Sequence, residues 1–307
     1  MKKITLTCLI LSISSLLYAD SLLLKNNEQI TLKAGTHTYD NIIMGKGATI
    51  FLIGTTKLFS KKMEIMNNAK IKYKKGSDRN NKEKIFDFVV LDGSKMNGIL
   101  TIEGSAQDGA NGKHGANGRH GEAEHNQVII IPPERKHTDP THGGDGANGK
   151  DGVHGENAMD IDIVMYKLNE NFKIIVLSNG GNGGNGGNGG YGGNGGAGKI
   201  FNTGKNGGKG GTGGHAGNGG DAGEIDVRLI YKDGISKDKL VKLNESLYDN
   251  ILLIPGKGGS RGLAGNGGNG GFGGSRGGHA GDAGADGKIG KNGSFTIPTK
   301  KLEFSTY

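Results

Sequence analysis

The chain has 307 residues, of which 62 are glycine, 5 are proline and none is tryptophan. With hydrophobic residues at 33%, that much glycine excludes a uniformly packed globular core, and so little proline excludes an ordinary collagen, which needs roughly 15–20% proline or hydroxyproline. Charged residues at 22% and a net charge of +8 are too balanced for charge-driven disorder, while permitting attraction to anionic surfaces.

Residues 1–19 read as a secretory leader. Lys2 and Lys3 precede an apolar run from Ile4 to Leu17 that is too short to span a bilayer, and Tyr18-Ala19 supplies a small residue for cleavage near Ala19. The expectation is an exported protein, secreted or held at a bacterial cell surface or outer membrane, without a transmembrane span. Cys8, the single cysteine, lies inside the leader, so neither disulfides nor thiol chemistry is expected in the exported chain.

Residues 20–104 form a base of short apolar or alternating runs: Leu22–Leu24, Gln29–Lys33, Asn41–Met44, Ala48–Ile53, Lys62–Met66, Ala69–Tyr73, Phe86–Leu91 and Ile99–Glu103. Gly35, Gly45, Gly47, Gly54, Gly76 and Gly93 punctuate them. This cadence predicts an all-β fold, a parallel β-solenoid or a sandwich, and few hairpin dipeptides between the runs favour the solenoid.

Residues 105–298 alternate strand-like runs with stretches in which glycine recurs every third residue: 109–121, 143–155, 180–198, 204–223, 256–277 and 278–293. Most of the glycines lie there. A period of 3.0 matches polyproline-II-like backbone, which rises about 3.1 Å per residue and has no internal hydrogen bonds. Wherever the third residue is glycine, another backbone can approach closely. The expectation is therefore a six-helix polyglycine-II bundle built from three out-and-back hairpins, 109–121/143–155, 180–198/204–223 and 256–277/278–293, with 299–307 as a tail. A flexible linker and a collagen triple helix are the competing possibilities. Within the bundle, the Gly-Gly-Asn stretch 180–198, with Asn182, Asn185, Asn188 and Asn194 in one register, belongs at the centre. The stretches carrying Lys113, His114, Arg119, His120, Lys150 and His154 belong at the water-facing edge, and Tyr191 and Phe272 are expected to fill gaps between helices.

These Gly-Gly-Asn and Gly-X-X stretches resemble the polyglycine-II sandwiches of glycine-rich insect antifreeze proteins and of bacteriophage tail-tip adhesins. The segment Ala34–Asp40, followed by Gly47-Ala48-Thr49-Ile50, is similar to coils of secreted bacterial β-solenoid proteins. The likeness implies fold more than function, since the chain carries a leader that phage adhesins lack and no cysteines of the kind the insect proteins carry.

Reactive motifs are sparse. His125, His137 and His142, with Glu122, Glu124, Glu134 and Asp139, sit in one interruption and are weighed as a metal cluster against a solvated loop; the loop is preferred, and no metal or cofactor is expected. The Gly-X-Gly-X-X-Gly matches arise from the repeat itself, and Arg276-Gly277-Gly278 is too isolated for nucleic acid. Asp87, Asp92 and Lys95 are the candidates for a solenoid lyase, but nothing in the sequence faces them toward one another, and no catalytic residue is assigned.

Recognition is the favoured function. If the hairpins project together, their reversals form a composite tip in which Arg135, Lys136, His137, Ile200, Phe201, Arg276 and His279 are the candidate binding residues. The expected partner is a cell-surface component or glycan of a host or prey cell. Ice or surface binding, prompted by asparagines recurring at about 9.3 Å, and a passive matrix or envelope role are the alternatives.

Overall fold

A computed structural model describes residues 21–74, 84–130, 133–199 and 202–231, residue 242, and residues 251, 252, 254, 257, 259, 260 and 262–272. The side chains of 125–130, 133–137, 251 and 252 are not described. The expected leader, 1–19, lies outside this set.

Two parallel sheets organise the described residues. The first holds β1 (Leu22–Leu24), β3 (Gly35–Met44), β5 (Thr56–Ile65), β7 (Ile85–Val90), β12 (Asp160–Leu168) and β14 (Ile225–Tyr231), with β8 (Lys95–Met96) paired to the end of β5. The second holds β2 (Gln29–Leu32), β4 (Thr49–Leu52), β6 (Ala69–Tyr73), β9 (Gly98–Glu103), β13 (Phe172–Leu177) and β15 (Ile251–Leu252). From β1 to β7 the chain alternates between the sheets, and each strand pairs in parallel with the one two before it. The remaining strands, β10 (His125–Ile130) and β11 (Pro133–Thr138), form an antiparallel hairpin.

Register turns alternation in sequence into apolar ladders. Ile30, Ile50, Ile71, Ile102 and Val176 align across the second sheet, and Leu58, Phe88, Ile163 and Val227 across the first. All but the partly buried Ile30 are buried in the core between the sheets. Each such side chain contributes about 1.5–3 kcal/mol by leaving water. The turns entering the second sheet need left-handed backbone, which Asn27 (φ 59°), Gly47 (φ 72°), Asn68 (φ 64°) and Gly98 (φ 100°) adopt. Asparagine and glycine tolerate that region better than other residues.

The expected six-helix polyglycine-II bundle of three hairpins is not supported. Every element among the described residues is a strand, and the last stretch, 278–293, lies outside them. The all-β part of the expectation is compatible with the two sheets. A three-residue glycine period marks where Cβ atoms are missing and does not by itself make the chain a helix. The glycine stretches leave the sheets as extended segments outside any regular element, and the hydrogen bonds their glycines permit run sideways, between segments.

Those lateral bonds are regular. The first (109–121) and third (180–198) segments and the described residues of the fifth (within 257–272) run side by side in parallel: Gly115 N–H donates to the Asn188 carbonyl at 2.7 Å, and Gly186 N–H to that of Ser260 at 2.9 Å. The second (143–155) and fourth (204–223) segments pair likewise, with Gly149 N–H donating to the Thr212 carbonyl at 2.8 Å. Antiparallel bonds join the two layers: Lys150 N–H to Lys113 C=O, Gly187 N–H to Lys150 C=O and Gly214 N–H to Gly187 C=O, each at 2.8 Å. At Gly187 a Cβ would stand 2.0 Å from the Lys113 carbonyl oxygen. No residue with a side chain fits there without displacing backbone.

Candidate recognition surface

The ends of the glycine-rich segments farthest from the sheets converge. Thr141 N–H donates to the Glu122 carbonyl at 3.0 Å and Glu122 N–H to Thr141 Oγ1 at 2.8 Å, closing the neck from which β10 and β11 extend. Glu124, fully buried, accepts the Lys199 N–H at 2.7 Å, while its own N–H donates to the Ala197 carbonyl. Asn202 Nδ2 donates to Asp139 Oδ1 at 3.0 Å. Gly271 N–H reaches the Lys205 carbonyl at 2.8 Å, which brings the fifth segment to the same end.

Of the candidate tip residues, Arg135, Lys136 and His137 lie on β11, opposite Val128, Gln127 and Asn126 of β10. Ile200, Phe201, Arg276 and His279 lie outside the described residues. The loop expected over 122–142 thus contains a two-stranded ribbon. Three of its acidic and histidine side chains help hold the neck: besides the roles of Glu124 and Asp139, His142 Nδ1 accepts the Asn206 N–H at 3.1 Å. Among the described residues no three His, Cys, Asp or Glu side chains gather in a group able to hold a metal. Tyr191 and Phe272 do not fill gaps; they are 56% and 83% exposed. Their segments are joined through backbone, which leaves no gap for a ring to fill.

Residues that immediately precede glycine have a role that sequence inspection missed. In the first segment Asp108, Asn111, His114, Asn117 and His120 each accept, through Oδ1 or Nδ1, the backbone N–H of Asn182, Asn185, Asn188, Tyr191 and Asn194 in turn. The third segment repeats this toward the fifth, where Asn182, Asn185, Asn188 and Asn194 accept the N–H groups of Lys257, Ser260, Leu263 and Asn269. In the other layer His142, Asp145, Asn148, Asp151 and His154 serve Asn206, Lys209, Thr212, His215 and Asn218. The side chains at 108, 111, 114, 117, 120, 182, 185, 188 and 194 remain exposed. They form a face on which side-chain positions are fixed by backbone.

The sheets carry two further polar features. Lys57, Asp87, Asp162 and Asp226 align in one row across the first sheet. Lys57 pairs with Asp87, and Arg228 with Asp226 at 3.2 Å. Between two carboxylates, Asp162 is pushed up to about 6, by desolvation first and then by Asp87, Asp226 and Asp160. The second feature is a groove of about 350 Å³ whose lining includes Asn41, Lys62, Glu64, Asp92, Ser94 and Lys95, beside the point where β7 ends and β8 takes over pairing with β5. Burial favours a raised Asp92 pKa, but hydrogen bonds from Ser94 and the charges of Lys167 and Lys62 outweigh it and hold the carboxyl below its usual range. Asp92 and Lys95 therefore share a groove, whereas Asp87 is engaged with Lys57 in the row.

No protein-family model matches the chain, and neither does any curated protein or solved structure. Among the described residues no helix is long and apolar enough to cross a membrane.

Proposed function

We propose that the chain is an exported binding protein, secreted or displayed at a bacterial surface, in which the sheets are a base and the glycine-rich segments carry recognition groups away from it. The supporting observation is the β10–β11 hairpin at the far end of the segments, with its neck fixed by the Glu122–Thr141 and Glu124–Lys199 contacts. Binding residues concentrate on excursions carried by rigid scaffolds. Arg135, Lys136 and His137 on β11 are the assigned contacts for a cell-surface component or glycan. The role is binding rather than catalysis.

Replacing residues 125–138 by a short Gly-Ser turn tests this. Retention on target cells or on a glycan panel should fall at least tenfold while thermal stability stays close to that of the parent. Unchanged retention would refute the assignment. Ice or surface binding is favoured instead by the asparagines recurring every three residues, at most about 10 Å apart along the chain. Thermal hysteresis and ice shaping by concentrated protein would support that alternative, and their absence would reject it.

A further inference from the structure

A backbone N–H can only donate, so whichever side-chain atom meets it must be an acceptor. For Asn111, Asn117, Asn182, Asn185, Asn188 and Asn194 that atom is Oδ1; for His114 and His120 it is Nδ1. This fixes both the amide orientation and the neutral imidazole tautomer. What remains on each side chain is hydrogen-bearing: Nδ2 of the asparagines and Nε2 of the histidines. These side chains are exposed, and among the described residues no other side-chain hydrogen bond engages those nitrogens.

The first and third segments therefore present an array of outward-facing donors, while the acceptor atom of each side chain is already turned toward a backbone N–H. Lys113 and Arg119 stand exposed on the first segment, and the exposed Lys257 follows Asn182 in the lateral order. Among the described residues the carboxylates that accept across these segments stand at their two ends, Asp108 nearest the sheets and the buried Glu124 at the neck. The second segment differs: Asp145 and Asp151 alternate there with Asn148 and His154 and keep acceptor capacity. The two layers thus differ in hydrogen-bonding character: donors predominate on the first and third segments, and donors alternate with carboxylates on the second.

We infer that the face formed by the first and third segments binds an anionic polysaccharide, a chain bearing carboxylate or sulfate groups at regular intervals. Such a polymer supplies acceptors without competing donors at its charged groups, and charge-assisted hydrogen bonds are the stronger kind. A repeating ligand on a repeating array gains from multivalency, since every further contact becomes intramolecular. Ice offers donors and acceptors in equal number and matches an array of donors less well. This surface is separate from the β10–β11 hairpin, so either site can fail without the other.

The test uses the full exported chain on immobilised polygalacturonate, heparin and neutral dextran at low salt. Retention is expected on polygalacturonate or heparin, weakening as salt rises, and not on dextran; the two polyanions separate carboxylate from sulfate preference. Asn185→Asp with Asn188→Asp keeps an oxygen for the Ser260 and Leu263 amides, as Asp108 and Asp145 already do for theirs, but replaces outward donors with acceptors. That variant should bind at least tenfold more weakly with little change in Tm. Asn148→Asp with Asn157→Asp, at two positions whose Oδ1 atoms accept the Thr212 and Asp221 amides in the other layer, adds the same charge there and should bind like the parent. Lys113→Ala with Arg119→Ala, exposed on the first segment, should also weaken binding. No retention of the parent on either polyanion, equal retention on dextran, or equal losses from the two Asn→Asp pairs would overturn the inference. If Asn185→Asp with Asn188→Asp does not fold, unchanged binding by the Lys113/Arg119 variant overturns it instead. Deleting the hairpin should leave polyanion retention intact, which separates this site from the hairpin's.

Discussion

The backbone N–H of Asn188 donates to Nδ1 of His114 at 2.8 Å, across 74 positions of sequence. The same histidine position is filled by Asn111 and Asn117 one step to either side, each performing the same service for the neighbouring segment. The requirement is a short side chain with an acceptor, which three residue types meet. His114→Asn should therefore keep stability within about 0.5 kcal/mol of the parent, whereas His114→Ala should lose about 1 kcal/mol by leaving the Asn188 amide without its partner. Chemical denaturation separates the two. Nitrogen NMR at pH 8 should find the His114 ring protonated at Nε2 and bare at Nδ1.

Gly187 sits where three other segments meet. Its N–H donates to Lys150, its carbonyl accepts from Gly214, and an added Cβ would collide with the Lys113 carbonyl. Gly187→Ala should destabilise by about 3 kcal/mol or more, since the obstacle is backbone held in place by neighbours on both sides. Lys113→Ala, at an exposed position on the segment it would strike, should change stability by less than about 0.5 kcal/mol. Comparable losses for the two substitutions would contradict the lateral packing.

Asp162 gives stability a pH dependence of defined sign. Its folded value of about 6 lies above that of an unfolded aspartate, so the folded state holds the proton more tightly. Stability should rise as pH falls from about 6 toward about 4, and the ionised carboxylate should oppose folding above that window. Because the side chain is exposed, solvent screening keeps the effect small. Asp162→Asn should raise Tm by about 1–2 °C at pH 7.5 and reduce its slope between pH 4 and 6. A lower Tm for the variant at pH 7.5 would show that the carboxylate is stabilising.

Lys84 and Glu156 form an ion pair at 3.4 Å where the sheets meet the second glycine-rich segment, with the Lys84 side chain 1% exposed. The Lys84 ammonium also lies 4.8 Å from the centre of the Tyr73 ring. Removing one partner of a buried pair strands the other charge, at about 3–5 kcal/mol. Lys84→Met should lower stability on that scale, and adding Glu156→Gln should recover part of the loss. A double variant no better than the single would show that the charges are not coupled.

The strand runs were legible wherever one face is buried, as in Ala69–Tyr73 and Ile99–Glu103, because alternation along a strand leaves a direct mark in sequence. The first halves of β3 and β5 were less legible: Gly35–Asp40 was marked only by its likeness to solenoid coils and Thr56–Lys61 not at all, because polar residues such as Thr38, Thr56 and Ser60 take buried positions and break the apolar alternation. Glycine periodicity located the close approaches between segments but was read as a helical bundle, an architecture that spacing alone does not specify. The accepting role of His114, His120, Asp145 and Asp151 was hidden because these residues look like ordinary solvated side chains. Their one signal was position, immediately before glycine, where a short acceptor reaches the next backbone. The β10–β11 hairpin was hidden because its apolar and basic residues read as a binding loop.

Amide hydrogen exchange of the glycine-rich segments, followed by NMR on the folded chain, tests the account most directly. The amides of Gly184, Gly187, Gly190, Gly193, Gly211 and Gly214 all donate to a neighbouring segment and should exchange many orders of magnitude more slowly than in an unstructured peptide, disappearing together in one cooperative opening. Exchange of these six at the rates of a free glycine-rich coil would contradict the lateral backbone pairing on which the fixed surface depends.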